Sequence, residues 1–173
     1  MTQLSRRRFL GSAAATAATL TTRRLSASSP AGRLRVALIG VKGRGRFFLT
    51  ALLGEKFKDD VEIAAICDVD RNVIKDGMDK VEKAGGKKPA YYPDARKLME
   101  DKSIDAVVIV TPNHTHSYLT VLALQAGKHV YVEKPMSHTV WEGRKVIEAQ
   151  KKYGKVVAHG SQNHSMTGMK EVM

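Results

Sequence analysis

Beyond residue 33 the apolar positions follow two alternating rhythms: short unbroken runs, and spacings of three and four. Leu34–Ile39 is an apolar run ending at Gly40, the pattern of a buried strand. Residues 44–53 then place Phe48, Ala51 and Leu52 at helical spacing. Val61–Cys67 is a second strand-like run, and Val73, Ile74, Gly77, Met78 and Val81 mark a helix stopped by Gly85-Gly86. Tyr91-Tyr92 makes a minimal third strand, after which Pro93-Asp94 opens a helix through Met99. Residues 106–110 form the most strand-like run of the chain. Leu119, Leu122, Ala123 and Ala126 give a helical stripe ended by Gly127, and His129–Val132 is a fifth strand. Thr139-x-x-Glu142 is a capping box for a helix that runs to Tyr153 and stops at Gly154. Residues 156–159 close the series.

Six apolar runs alternating with helices imply a parallel sheet covered on both faces. The class is α/β, a Rossmann-type doubly wound sheet of strand order 3-2-1-4-5-6, with ligand at the carboxyl ends of strands 1 and 4. The chemistry-bearing residues fall at those ends.

Gly40-Val41-Lys42-Gly43-Arg44-Gly45 stands where strand 1 turns into a helix. Glycines there permit a tight turn and let backbone N–H groups approach a pyrophosphate at the helix N-terminus. Gly40, Gly43, Arg44 and Gly45 are therefore read as cofactor-binding. The middle position of G-x-G-x-x-G holds Lys42, and a plain turn-forming glycine cluster is the alternative. Asp68, ending strand 2, can accept from the ribose hydroxyls of adenosine and repel a 2′-phosphate, favouring NAD over NADP. It can equally cap the next helix, with Asp70 taking whichever of the two roles is left. The spacing from Gly40 is longer than usual, and the loop 54–60 absorbs the surplus.

Thr111-Pro112-Asn113-x-x-His116 follows strand 4, and Glu133-Lys134-Pro135 follows strand 5. The segment Gly127-Lys128-His129-Val130-Tyr131-Val132-Glu133-Lys134-Pro135 resembles the signature of the glucose–fructose oxidoreductase/inositol dehydrogenase (Gfo/Idh/MocA) family. Val36-Ala37-Leu38-Ile39-Gly40 and Ala65-Ile66-Cys67-Asp68-Val69-Asp70 agree with that family in order and spacing, so the resemblance covers residues 33 to about 164. It implies that Thr111, Asn113 and His116 border the nicotinamide side of NAD and that Glu133 bonds a ribose. It implies further that Lys134 is the catalytic group facing a substrate hydroxyl, and that the Lys134–Pro135 bond is cis. A lysine suits that place, since a cation in a partly desolvated cleft can assist removal of a hydroxyl proton as hydride leaves.

The resemblance also implies a sugar or polyol substrate and a second α/β domain beyond residue 164. Residues 165–173 read as the start of that continuation, truncated at Met173, so the family's C-terminal domain is expected to be absent. The chain alone is then expected to be inactive, with a homo-oligomer only where a second domain is present. Two other readings stand beside the oxidoreductase: a non-catalytic nucleotide-binding fragment, and a relative that cleaves glycosides with transient use of NAD. That last branch tends to lack the lysine of Glu-Lys-Pro, so Lys134 argues against it.

Charge changes the picture only at the start of the chain. The net charge of +12 suggests nucleic acid, but five of the 29 basic residues lie in the first thirty, which hold no acid. The remainder carries +7, scattered without long runs or interleaved aromatics, so no nucleic-acid partner is expected. Ser5-Arg6-Arg7-Arg8-Phe9-Leu10, followed by a mildly apolar stretch to Leu20, matches a twin-arginine export signal. Residues 1–30 are so read as an address for the twin-arginine translocase, leading to the periplasm; a basic tail or a membrane-associated helix is the alternative. That route carries folded proteins, which suits a cofactor-loading domain over 31–164. The single cysteine, Cys67, cannot form an internal disulfide. No metal site is read.

Overall fold

The computed structural model describes residues 32–161. Residues 1–30, read above as an export signal, and the segment 165–173 lie outside the described residues. The order is β1 (Leu34–Ile39), α1 (Arg44–Leu52), β2 (Val61–Cys67), α2 (Arg71–Lys83), β3 (Ala90–Tyr92) and α3 (Ala95–Glu100). Then come β4 (Ala106–Ile109), a 3-10 turn (Asn113–Thr115), α4 (His116–Gln125), β5 (His129–Val132), α5 (Val140–Tyr153) and β6 (Val157–His159). The strands form one six-stranded sheet, β3-β2-β1-β4-β5-β6, and every pairing is parallel. This is the expected doubly wound arrangement.

Strand alternation divides the core in two. Ala37, Ile39, Val107, Ile109, Val130 and Val132 join Leu98, Leu119, Leu124 and Ala149 from α3, α4 and α5 on one face. Val36, Leu38, Ile63, Ile66 and Val108 join Leu49, Val73, Ile74 and Val81 from α1 and α2 on the other. Burial on both faces explains why β4 is apolar at every position. The edge strands β3 and β6 are shorter and less buried.

One irregularity escaped the sequence pattern. Val36 pairs with Ile63 but Ala37 pairs with Ala65, so Ala64 is an extra residue in β2. The bulge reverses the facing of everything after it. Ile66 packs toward α1 and α2, Cys67 toward the opposite face, and the strand delivers Asp68 in the corresponding phase.

Helix ends follow local chemistry. Asp70 caps α2 through Asn72 N–H, Asp94 caps α3 through Arg96 N–H, and Thr139 and Glu142 form both halves of the capping box on α5. No described helix is long and apolar enough to cross a membrane.

Candidate cofactor site

A cleft of about 980 Å³ opens over the carboxyl ends of β1, β2, β3 and β4. Its walls include Gly40, Lys42 and Gly43 from the first turn, Cys67, Asp68 and Val69 after β2, and Thr111, Pro112 and Thr115 after β4.

The glycine turn is built by steric necessity. A Cβ on Gly40 would lie 2.7 Å from the Val110 carbonyl oxygen, and one on Gly45 only 2.1 Å from that of Gly40. Gly43 adopts φ 55°, ψ −114°, and Gly45 N–H closes the turn on the Lys42 carbonyl at 3.0 Å. Those dihedrals belong to the first central position of a type II′ turn, which L side chains disfavour. Lys42, where the motif's middle glycine would stand, is exposed and lines the cleft. Helix α1 begins with no side-chain cap and no acid in its first turn. Gly45 and Arg46 N–H bond the Lys42 and Gly43 carbonyls, so what the terminus offers an anion is chiefly the uncompensated positive end of the helix dipole.

Asp68 and Asp70 divide the two roles left open by the sequence. Asp70 is the cap of α2. Asp68 instead accepts Val41 N–H at 2.9 Å and Asp70 N–H at 3.0 Å, one bond to each carboxylate oxygen. Each oxygen keeps a further lone pair for a ligand hydroxyl. Beside it, burial and the charges of Asp68 and Asp94 push the Cys67 thiol up to about 12, so it stays a neutral wall group. A raised thiol pKa favours the fold below the ordinary value of 9.0, and that contribution is lost as pH climbs toward 12.

Of the residues expected after β4 and β5, Thr111 lines this cleft, whereas Asn113, His116, Glu133 and Lys134 lie away from its lining. His116 is 1% exposed, and its Nδ1 and Nε2 stand 2.6 Å and 2.7 Å from the carbonyl oxygens of Pro135 and Thr111. Its ring therefore ties the loop after β4 to the loop after β5, with both nitrogens engaged by backbone carbonyls. A neutral imidazole donates once; both contacts are donations only in the doubly protonated ring. Asn113 is exposed at the start of the 3-10 turn. Glu133 is buried and paired with Arg44, while Lys134 is exposed and joined to Pro135 by a cis bond, as the resemblance implied.

Sequence reasoning missed a wall. Pro93, Asp94 and Arg96 after β3, with Tyr118 and Leu119 of α4, line the cleft opposite the glycine turn. Pro93 and Asp94 had been read only as a helix start, although they too follow a strand end. Arg96 holds the Asp94 carboxyl down at about 2 through side-chain and backbone hydrogen bonds. Tyr118 is 59% exposed, an aromatic off the apolar stripe of its helix.

Residues 34–161 match the Gfo/Idh/MocA oxidoreductase family, whose description is an NAD-binding Rossmann fold. The chain belongs to that family. Among Gfo/Idh/MocA relatives, a glycosyl hydrolase family 109 protein of Stenotrophomonas maltophilia is 33% identical over 156 residues, covering 87% of this chain and 34% of that protein. A myo-inositol 2-dehydrogenase of Thermotoga maritima is 36% identical over 116 residues, covering 66% of this chain and 33% of that protein. The crystal structure of the WlbA dehydrogenase of Chromobacterium violaceum, solved with NADH and UDP-GlcNAcA, superposes with a TM-score of 0.71 at 27% identity. That match covers 81% of this chain and 38% of the dehydrogenase. The chain thus spans about a third of the length of the relatives it matches, and the part it spans is their NAD-binding domain.

Proposed function

We propose that this chain supplies the cofactor-binding half of an enzyme that oxidises a CH–OH carbon of a sugar or polyol. The observation that carries the reading is the uncapped start of α1 beside Asp68, with Glu133-Lys134 at a strand end of the same sheet edge. The residues present fit a dinucleotide. Gly45 brings the first turn of α1 against Gly40, in a space that a Cβ would fill, and the positive end of the α1 dipole stands there without a side-chain cap. Bound there, NAD supplies hydride acceptance. Asp68 would hold the adenosine ribose, the α1 terminus the pyrophosphate, and Lys134 would take the proton of the reacting hydroxyl.

On that reading Asp68 would set negative charge where a 2′-phosphate would sit. Calorimetric titration of residues 31–173 should therefore show NAD(H) bound at least about ten-fold more tightly than NADP(H). Equal or tighter NADP(H) binding would overturn the Asp68 assignment and direct attention to Lys42, Arg44 and Arg71.

The match to a glycosyl hydrolase family 109 protein favours a second reading, glycoside cleavage with transient oxidation of the sugar. Product analysis separates the two, because only cleavage releases an aglycone without net cofactor reduction. By itself the domain is expected to turn over no sugar. Lys134 is exposed, and a reacting carbon must be held within about 3–3.5 Å of its acceptor, which one wall of a cleft cannot do. NADH formation over a panel of polyols and sugars checks this, and turnover abolished by Lys134→Ala would refute it.

We further propose export of the folded domain through the twin-arginine route, on the strength of Ser5-Arg6-Arg7-Arg8-Phe9-Leu10. A reporter fused after Pro30 should reach the periplasm folded, and Arg6→Lys with Arg7→Lys should retain it in the cytoplasm. Undiminished export of the double variant would count against the signal.

A further inference from the structure

We propose that Arg44 is a positioning residue that ties the glycine turn to the backbone of Lys134 through the Glu133 carboxylate. The value of this tie to catalysis rests on the reading of Lys134 given above; the tie itself does not. The glycine motif pointed Arg44, and the family resemblance Glu133, toward the cofactor, yet neither lines the cleft. They bind each other. Arg44 Nε and Nη2 each lie 3.2 Å from Glu133 Oε1, across 89 residues of chain. The second oxygen, Oε2, accepts the N–H of Lys134 at 3.0 Å. One carboxylate therefore links the first residue of α1 to the peptide that carries the lysine.

Three further features show that this pair is built rather than incidental. The Glu133 side chain is only 5% exposed, and a buried carboxylate needs a cation or several donors to be tolerated. A cation in the first turn of a helix also opposes the helix dipole, an unfavourable place that the Glu133 carboxylate offsets. Its guanidinium carbon lies over two rings, 4.3 Å from the centroid of Phe47 and 5.2 Å from that of Phe48. Phe48 in turn packs 5.2 Å from Tyr131, two residues before Glu133 on β5. The start of α1 and the end of β5 are thus joined by charge and by packing together. A shift of α1 against a bound pyrophosphate would be felt at Lys134.

Two measurements test this, on Arg44→Met, Arg44→Lys and Glu133→Gln. Lysine keeps the charge but lacks the planar fork, so it should restore only part of the effect. In the ligand-free protein, Arg44→Met should speed amide exchange of Lys134 at least about ten-fold while β1 and β4 amides exchange as before. The unchanged β1 and β4 amides serve as the check on folding, and Glu133→Gln should reproduce the same local change. In calorimetry, Arg44→Met should weaken NAD about ten-fold but AMP by less than about two-fold, because AMP lacks the half of the cofactor near Lys134. Unaltered exchange at Lys134 would overturn the proposal, as would equal losses of AMP and NAD, which would place Arg44 on the shared adenosine phosphate. Should wild-type protein bind neither nucleotide while the exchange result holds, the cofactor reading fails and the tie stands.

Discussion

Gly45→Ala should weaken NAD binding at least about 100-fold, near 2.7 kcal/mol, and lower stability by about 1–3 kcal/mol. The added Cβ would stand 2.1 Å from the Gly40 carbonyl oxygen and 2.9 Å from its carbon, both backbone atoms that cannot swing aside. Helix α1 must then move away from β1, carrying its first-turn N–H groups out of line with the pyrophosphate. Gly40 cannot compensate, because it is itself pressed against Val110 at φ 90°. Lys42→Gly is the informative companion. Its side chain already lies outside the turn, so the turn should survive, and any change in affinity reports charge alone. Calorimetry and urea unfolding on the same preparations check both. An alanine variant that binds NAD within about three-fold of wild type would show that the cofactor does not use this terminus.

Lys128→Met should cost about 2 kcal/mol of folding stability, at the opposite end of the sheet from the cleft. Lys128 is 2% exposed, and its Nζ donates to the carbonyls of Asp101 and Ile104 at 2.5 Å and 3.2 Å. Those carbonyls end α3 and lead into β4, so one ammonium holds a helix end against the sheet. Methionine fills the same volume but removes the ammonium from both carbonyls, leaving Asp101 only the long bond from Ile104 N–H at 3.4 Å, a loss larger than the relief of desolvating a charge. The sign with pH follows from burial, which lowers the Lys128 pKa below 10.5 against the opposing pull of Asp101 and Asp105. A folded pKa below the unfolded one means the charged amine is a burden at neutral pH that is relieved on deprotonation. The gap between wild type and Lys128→Met should therefore widen as pH rises through the alkaline range toward 10.5. Urea midpoints across that range measure it, and a methionine variant as stable as wild type at neutral pH would defeat the account.

The elements and their order were legible because each rests on neighbours in sequence. Unbroken apolar runs such as Leu34–Ile39 suit strands buried on two faces, and Thr139-x-x-Glu142 meets its own partner within one turn. The candidate site was legible where function needs backbone shape, as at Gly40 and Gly45, or a residue at a strand end, as at Asp68. Boundaries slipped by one residue where an apolar side chain continues past the last pairing. Val110 extends the run of β4 but lies beyond its paired residues, and Val156 precedes β6 in the same way.

Periodicity along the chain therefore determined the α/β alternation and the strand ends at which chemistry gathers, while the sheet order followed from the doubly wound class. Tertiary structure alone decided the rest. The extra Ala64 in β2 is invisible to a pattern in which Ile63, Ala64, Ala65 and Ile66 are all apolar, yet it sets the face from which Asp68 emerges. Arg44 and Glu133 are 89 residues apart, and that they stand within 3.2 Å of each other is a fact of the packed sheet alone. His116 read as a cleft residue and became an internal tie between two loops. The physical reason is common to all three. Hydrophobic periodicity reports which face of an element is dry, a local property, whereas the partner of a polar side chain is chosen by whichever group the packed sheet brings within about 3 Å.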